Sequence, residues 1–172
     1  MLLEFIAILA AGLGLAGLVL TVDIVLRRRL PRWLVPAAAG AGMLLMAIWL
    51  EYSWLDRTTG AFPEGVEVAS THQVRSWYRP WTYVAPLTTR LVAIDHRAER
   101  RHPAQPDHVL ARMVLAGRWE PTHTLAAVFD CAGRRRADLV DGVGFGEDGR
   151  LEGAEWIPLD ADDPVLRAAC GG

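Results

Sequence analysis

Residues 2–26 read LLEFIAILAAGLGLAGLVLTVDIVL and residues 33–50 read WLVPAAAGAGMLLMAIWL, with RRRLPR at 27–32 between them. As an α-helix, each apolar run can cross a hydrocarbon core about 30 Å thick. The connection leaves room only for a tight turn, so the helices, expected at about 3–26 and 33–50, should be antiparallel. A core helix of a soluble protein is the alternative, but apolar runs this long are rare there. Residues 1–54 are therefore predicted to be a transmembrane helical hairpin.

Charges around the two runs predict their orientation. The turn carries four arginines: Arg27, Arg28, Arg29 and Arg32. Glu4 lies in the N-terminal flank, and Glu51 and Asp56 follow the second run. Because arginine-rich short loops face the cytoplasm, we expect a bacterial inner-membrane protein. Its loop would be cytoplasmic, and both termini and the main domain would be periplasmic.

Small residues recur three or four positions apart on both predicted helices, and this spacing lets helix backbones approach closely. The positions expected to pack are Ala7, Ala10, Gly14 and Gly17 on the first helix and Ala38 and Gly42 on the second. The two faces are expected to pack on each other. A second interpretation is that part of this surface docks the helices of a partner protein.

The rest of the chain is acidic. Residues 51–172 contain 14 arginines and 18 acidic residues, and no lysine occurs in the chain. A nucleic-acid-binding domain needs a basic face, so we expect no nucleic-acid partner. The remaining 120 or so residues suffice for one domain with its own core.

Aromatic residues mark the exit from the predicted hairpin. Trp49, Tyr52 and Trp54 are typical of an aromatic belt at the membrane surface. Residues 55–88 form an aromatic-rich juxtamembrane segment whose densest part contains Trp77, Tyr78, Trp81 and Tyr83. These rings could cover one side of the following sheet. Alternatively, they could contact lipid headgroups or a partner protein.

Residues 89–172 have the pattern of a small antiparallel β domain. Strands are predicted at 82–95, 108–116, 122–131 and 134–141, with a polar loop at 97–107 and a hairpin turn at Asp148-Gly149. A C-terminal helix at 165–170 should be capped by Asp162 or Asp163. The predicted fold class is an α+β membrane protein, in which a two-helix transmembrane hairpin precedes the sheet and its C-terminal helix.

Motifs for catalysis or cofactor binding are weak. Residues 144–149 match G-x-G-x-x-G, but two acidic residues lie in the motif and no helix begins there, as a dinucleotide site requires. His96, His102 and His108 are six residues apart, which is not a metal-ligand spacing. We therefore predict no catalytic, metal or cofactor site.

The chain contains two cysteines, Cys131 and Cys170. On the predicted topology both lie in an oxidising compartment, which favours a disulfide between the end of a core strand and the end of the last helix. Two unrelated free thiols are the alternative.

The C-terminal half carries several short motifs that occur together. They are Ile94-Asp95, Phe129-Asp130-Cys131 followed by Ala132-Gly133-Arg134-Arg135, Trp156-Ile157-Pro158, and Leu166-Arg167-Ala168-Ala169-Cys170-Gly171. Over about 89–172 the chain resembles the surface-adhesin (protein E-like) domain family of Gram-negative bacteria. The resemblance implies a small antiparallel sheet with a C-terminal helix and a paired-cysteine ending. Such domains usually follow a signal peptide or lipid attachment, whereas this one follows two apolar runs.

These features predict a non-enzymatic inner-membrane protein. We expect an accessory, assembly or stabilising subunit of a larger membrane complex, such as a respiratory or photosynthetic one, with lipids and other integral membrane subunits as partners. The alternative is an adhesin-like module that binds an extracytoplasmic ligand or protein. A third hypothesis is an enzyme that uses the three histidines with Asp95 or Asp107.

Overall fold

The computed structural model describes residues 2–140, 143–146 and 151–171. The chain is divided into two compact units, Met1–Arg57 and Thr58–Gly172. The first unit is helical, and the second contains an antiparallel sheet and a C-terminal helix.

The helical unit consists mainly of α1 (Leu2–Val25) and α2 (Leu34–Tyr52). Both helices are long and apolar enough to cross a membrane by length and composition. A short helix, α3 (Trp54–Gly60), follows and continues into the second unit. The predicted pair of apolar helices is therefore present.

The turn between α1 and α2 is closed by hydrogen bonds to Asp23. Arg28 N donates to the Asp23 carbonyl at 2.7 Å, and Leu30 N donates to Asp23 Oδ1 at 2.9 Å. Arg27 and Arg28 have φ angles of 58° and 59°, in the left-handed region that usually favours glycine. Two successive left-handed residues end α1 and reverse the chain within a few residues.

The second unit is built on a curled six-stranded antiparallel sheet with the order β1-β2-β3-β4-β5-β8. Its strands are β1 (Val66–Val74), β2 (Leu87–His102), β3 (Gln105–Gly117), β4 (His123–Asp130), β5 (Arg135–Asp138) and β8 (Ile157–Pro158). The short strands β6 (Gly144–Phe145) and β7 (Leu151–Glu152) pair separately, and α4 (Pro164–Cys170) ends the fold. The predicted antiparallel sheet with a C-terminal helix is confirmed.

One face of the sheet packs against α4. Alternate residues of the central strands bury their side chains there because successive side chains of a strand point to opposite faces. The cluster contains Ile94, Ala111, Met113, Ala127 and Phe129 from the sheet and Leu166, Ala168 and Ala169 from α4. Asp163 caps the helix by accepting hydrogen bonds from Val165 N and Leu166 N at 2.8 and 3.1 Å.

The prediction of a polar loop at 97–107 is wrong. β2 continues to His102 and β3 begins at Gln105, so two residues make the turn. β2 has a large bulge between the pairs Asp95↔Arg112 and Arg100↔Leu110, in which four of its residues lie opposite one residue of β3. This polar stretch lacks the apolar alternation that identifies a strand in a sequence. Backbone pairing and neighbouring ion pairs hold it in the sheet instead.

Other boundaries also differ from the prediction. The first five residues of the strand expected at 82–95 are not extended, because a 3₁₀ helix covers Pro80–Tyr83 and β2 begins at Leu87. The sheet also begins before residue 89, since β1 lies within the segment predicted as juxtamembrane. The hairpin turn predicted at Asp148-Gly149 lies outside the described residues.

Candidate interaction surfaces

Two connections meet at one end of the sheet. The β1–β2 connection begins beyond the paired residues Val74 and Leu87, and the β3–β4 connection lies beyond the paired residues Leu115 and His123. Arg118 N, in the second connection, donates to the Thr89 carbonyl on β2 at 2.8 Å. Both connections therefore lie at the same end of the sheet.

Large apolar side chains are exposed at this end. Trp77 and Val84 are 84% and 90% exposed. The whole set, which we call the aromatic end, is Trp77, Tyr78, Tyr83, Val84 and Trp119. Exposed apolar clusters of this kind usually mark a contact with a protein or a membrane.

Thr82 holds the first connection in one conformation. Its side chain is buried, and its hydroxyl accepts a hydrogen bond from Ser76 N at 2.9 Å and donates to the Arg79 carbonyl at 2.8 Å. Two arginines lie over exposed rings, with Arg79 Cζ 5.3 Å from the Tyr78 centroid and Arg118 Cζ 4.4 Å from the Trp119 centroid. The aromatic end is thus an ordered surface that combines rings with cations.

Six of the aromatic residues named from the sequence have different environments. Trp77 and Tyr78 are exposed, as is Trp49 on α2. Tyr52 is half-buried and Trp54 is buried. Trp81 is half-buried, and its indole nitrogen is buried with no hydrogen-bond partner in the described part of the chain.

Trp119 was missed by sequence reasoning. It lies in Arg-Trp-Glu-Pro, between two predicted strands, and a tryptophan beside an arginine in so short a connection could have indicated an exposed ring. Its proximity to the other connection depends on strand pairing, which no local pattern contains.

Only part of the predicted small-residue surface lies between α1 and α2. A Cβ on Gly42 would lie 2.8 Å from the Ala11 carbonyl oxygen, and one on Gly12 would lie 2.6 Å from Met43 Cγ. These two buried glycines are where the helices approach closely, and Gly12 was not among the predicted positions. Ala7 and Ala38 are half-buried.

Three predicted positions on α1, namely Ala10, Gly14 and Gly17, are exposed. A Cβ built on Gly14 or Gly17 meets no described atom within 4 Å. Gly14 also lines an open groove of about 460 Å³ whose other wall includes Gly42, Leu45 and Met46 of α2. The four arginines of the turn are exposed as well.

A groove of about 680 Å³ lies between β1 and α4. β1 is an edge strand, and three consecutive residues of it (67–69) line the groove, as does Arg167 of α4. At one side, His96 lies 3.3 Å from Glu67 and 3.2 Å from Glu99. Burial alone would raise the pKa of Glu99, but hydrogen bonds from His96 and Arg101 hold it below its usual value.

The other histidines lie elsewhere. His102 and His108 line a separate, mainly apolar pocket of about 340 Å³ on the other side of the β2 bulge. His108 Nε2 is 3.7 Å from Asp130, and its ring is 5.6 Å from that of Trp156. The structure therefore does not bring His96, His102 and His108 into one site. Within residues 2–140, 143–146 and 151–171, no cluster of His, Cys, Asp and Glu could hold a metal ion.

Cys131 and Cys170 form a disulfide, with an S–S distance of 2.01 Å. The predicted pairing is confirmed. No family model matches the chain, and neither a curated protein nor a solved structure does. The resemblance to surface-adhesin domains stays a prediction.

Proposed function

We propose that this chain is a non-enzymatic integral membrane protein of the bacterial inner membrane, with its β domain in the periplasm. α1 and α2 have 24 and 19 residues, and most of their large apolar side chains are exposed. A hydrocarbon environment would accommodate that surface, whereas water would not. The arginine-rich turn supports a cytoplasmic position for the connection.

Within that membrane, the chain acts as an accessory, assembly or stabilising subunit of a larger complex. The observation that carries this proposal is the exposed strip formed by Ala10, Gly14 and Gly17, which the hairpin does not use for its own packing. Because small residues let helix backbones come into contact, such a strip suits a helix of another integral subunit.

The test substitutes Gly14→Leu and Gly17→Leu together in the full chain. In mild detergent, native gels of the wild type should show an assembly well above the 18.9 kDa chain. The double variant should migrate as the free chain, because the leucines separate the two backbones. Leu9→Trp is the matched control, because Leu9 is exposed on a different face of α1, and it should leave the assembly intact. A wild type that migrates alone would contradict the proposal.

A second candidate is an extracytoplasmic binding module, which the groove between β1 and α4 favours. An acidic and a basic residue, Glu67 and Arg167, both line this groove. If this groove holds the partner, Glu67→Gln with Arg167→Gln should abolish the assembly, and the glycine substitutions should not. The adhesin-like resemblance belongs with this candidate.

A further inference from the structure

The aromatic end has a charge opposite to that of the domain that carries it. Four arginines lie in or beside its two connections, namely Arg75, Arg79, Arg90 and Arg118, and the one acidic residue there is Glu120. Glu120 is paired with Arg90 at 2.7 Å. In contrast, residues 58–172 together contain 13 arginines and 16 acidic residues. An anionic surface would therefore attract this end of the domain and repel the rest.

The exposed side chains have the chemistry of a bilayer interface. Tryptophan and tyrosine combine an apolar ring with a polar group and concentrate at the level of lipid headgroups. Val84, at 90% exposed, adds an apolar side chain with no polar atom. Arginines beside such rings can bind phosphate oxygens of anionic headgroups.

The connection from α2 to β1 is short. After α3, residues 61–65 form turns in which Phe62 N donates to the Thr59 carbonyl at 3.1 Å and Val66 N donates to the Pro63 carbonyl at 3.3 Å. With α2 in a bilayer, as proposed, this short covalent link keeps the β domain near the lipid, so the local lipid concentration stays high.

We propose that the aromatic end is a second membrane-contact site, which binds the surface of a bilayer that contains anionic lipids. Trp77, Tyr78, Tyr83, Val84 and Trp119 enter the headgroup region, and the arginines bind the headgroup phosphates. The hydrogen bonds of Thr82 hold the backbone of the first connection, so little backbone ordering there opposes binding. The inference rests on the proposed membrane anchoring of α1 and α2.

The test uses the full chain, reconstituted into phosphatidylcholine vesicles with and without phosphatidylglycerol. A polarity-sensitive fluorophore is attached to Val84→Cys, and the matched control carries it on Ala104→Cys, in the turn at the opposite end of the sheet. A third sample carries it on Leu45→Cys of α2. All samples stay non-reducing so that the native disulfide remains closed. Quenching by lipids with brominated chains reports contact with the bilayer.

We expect brominated lipids to quench the label at position 84 and not the label at position 104. Removing phosphatidylglycerol, or introducing Arg75→Gln and Arg79→Gln, should weaken quenching at 84, by about fivefold in the docked-to-free ratio for each arginine removed. Quenching at 45 without quenching at 84 would overturn this inference and leave the anchoring intact. A protein partner would then be the alternative occupant of the aromatic end. Absence of quenching at 45 would overturn the anchoring itself.

Discussion

Asp130 organises the end of the β4–β5 hairpin. Its side chain is buried, Oδ1 accepts a hydrogen bond from Gly133 N at 2.7 Å, and Oδ2 accepts one from Arg135 Nε at 2.8 Å. Burial alone would raise the pKa of Asp130. The Gly133 N–H and the Arg135 guanidinium outweigh burial and hold the pKa below its ordinary value of 3.8.

We therefore expect Asp130→Asn to lower the free energy of unfolding at neutral pH by about 1–3 kcal/mol. A carboxylate with a lowered pKa adds stability that is complete above its unfolded-state pKa and is lost as the pH falls through the folded value. The difference between variant and wild type should shrink as the pH falls below 3.8. Thermal unfolding of the full chain in detergent, followed by tryptophan fluorescence across this range, measures it.

Asp162→Asn is the control, because Asp162 is exposed near the N-terminus of α4. Equal stability of the two variants at neutral pH would contradict the role assigned to Asp130. Sequence reasoning noted Asp130 as part of a motif without finding this role, since a carboxylate at the end of a strand resembles ordinary surface charge. Its partners became evident only from the turn geometry.

At the scale of elements, the disulfide connects β4 to α4. Cys131 directly follows β4 and Cys170 ends α4, and the two are separated by 39 positions in the sequence. Seven residues are too few for a helix that is stable by itself. α4 therefore depends on its Asp163 cap, its packing against the sheet and this covalent link.

Replacement of both cysteines by serine should cost about 4 kcal/mol in the loop-entropy estimate, because the link no longer restricts the unfolded chain. Chemical denaturation of the full chain in detergent, with and without reductant, measures this cost. Reductant should destabilise the wild type by a similar amount and leave the double variant unchanged. Equal stability of oxidised and reduced wild type would show that the link adds nothing.

A helix or strand could be predicted where its sequence pattern lies within a few consecutive residues. α1, α2 and β4 have apolar runs or clear alternation, and all three lie close to their predicted positions. The far half of β2 was missed because residues 97–102 contain no large apolar side chain. Pairing with β3 and the bonds Arg97–Asp95 and Arg101–Glu99, at 2.9 and 3.0 Å, hold it instead. The backbone pairing depends on β3, and each ion pair joins two β2 residues that share a face only once the strand has formed.

At the scale of the whole molecule, the proposed orientation makes its own prediction. With the arginine turn in the cytoplasm, a periplasm-active phosphatase fused after the C-terminus should be active, and a cytoplasm-dependent fluorescent protein there should be dark. Changing Arg27, Arg28, Arg29 and Arg32 to glutamine should reduce the fraction of chains with a periplasmic C-terminus, since the positive charge sets the orientation. The same change at Arg100, Arg112 and Arg134, which are exposed arginines of the β domain, is the control.

An active phosphatase would also agree with the disulfide, because oxidised cysteines persist mainly outside the cytoplasm. A fluorescent C-terminal fusion with no phosphatase activity would place the β domain in the cytoplasm. The proposed compartment would then be wrong, although the fold would be unaffected.

The amino-acid sequence alone determined that two apolar helices precede an antiparallel sheet and that a short helix follows the sheet. These features follow from run length, alternation and capping, which act over a few neighbouring residues. Only the tertiary structure decided that Gly12 and Gly42 form the close helix contact while Gly14 and Gly17 stay exposed. It also brought Trp119 to the same end of the sheet as Trp77 and opened the groove beside β1. These arrangements depend on helix rotation and strand register, which are set by packing between residues far apart in the chain.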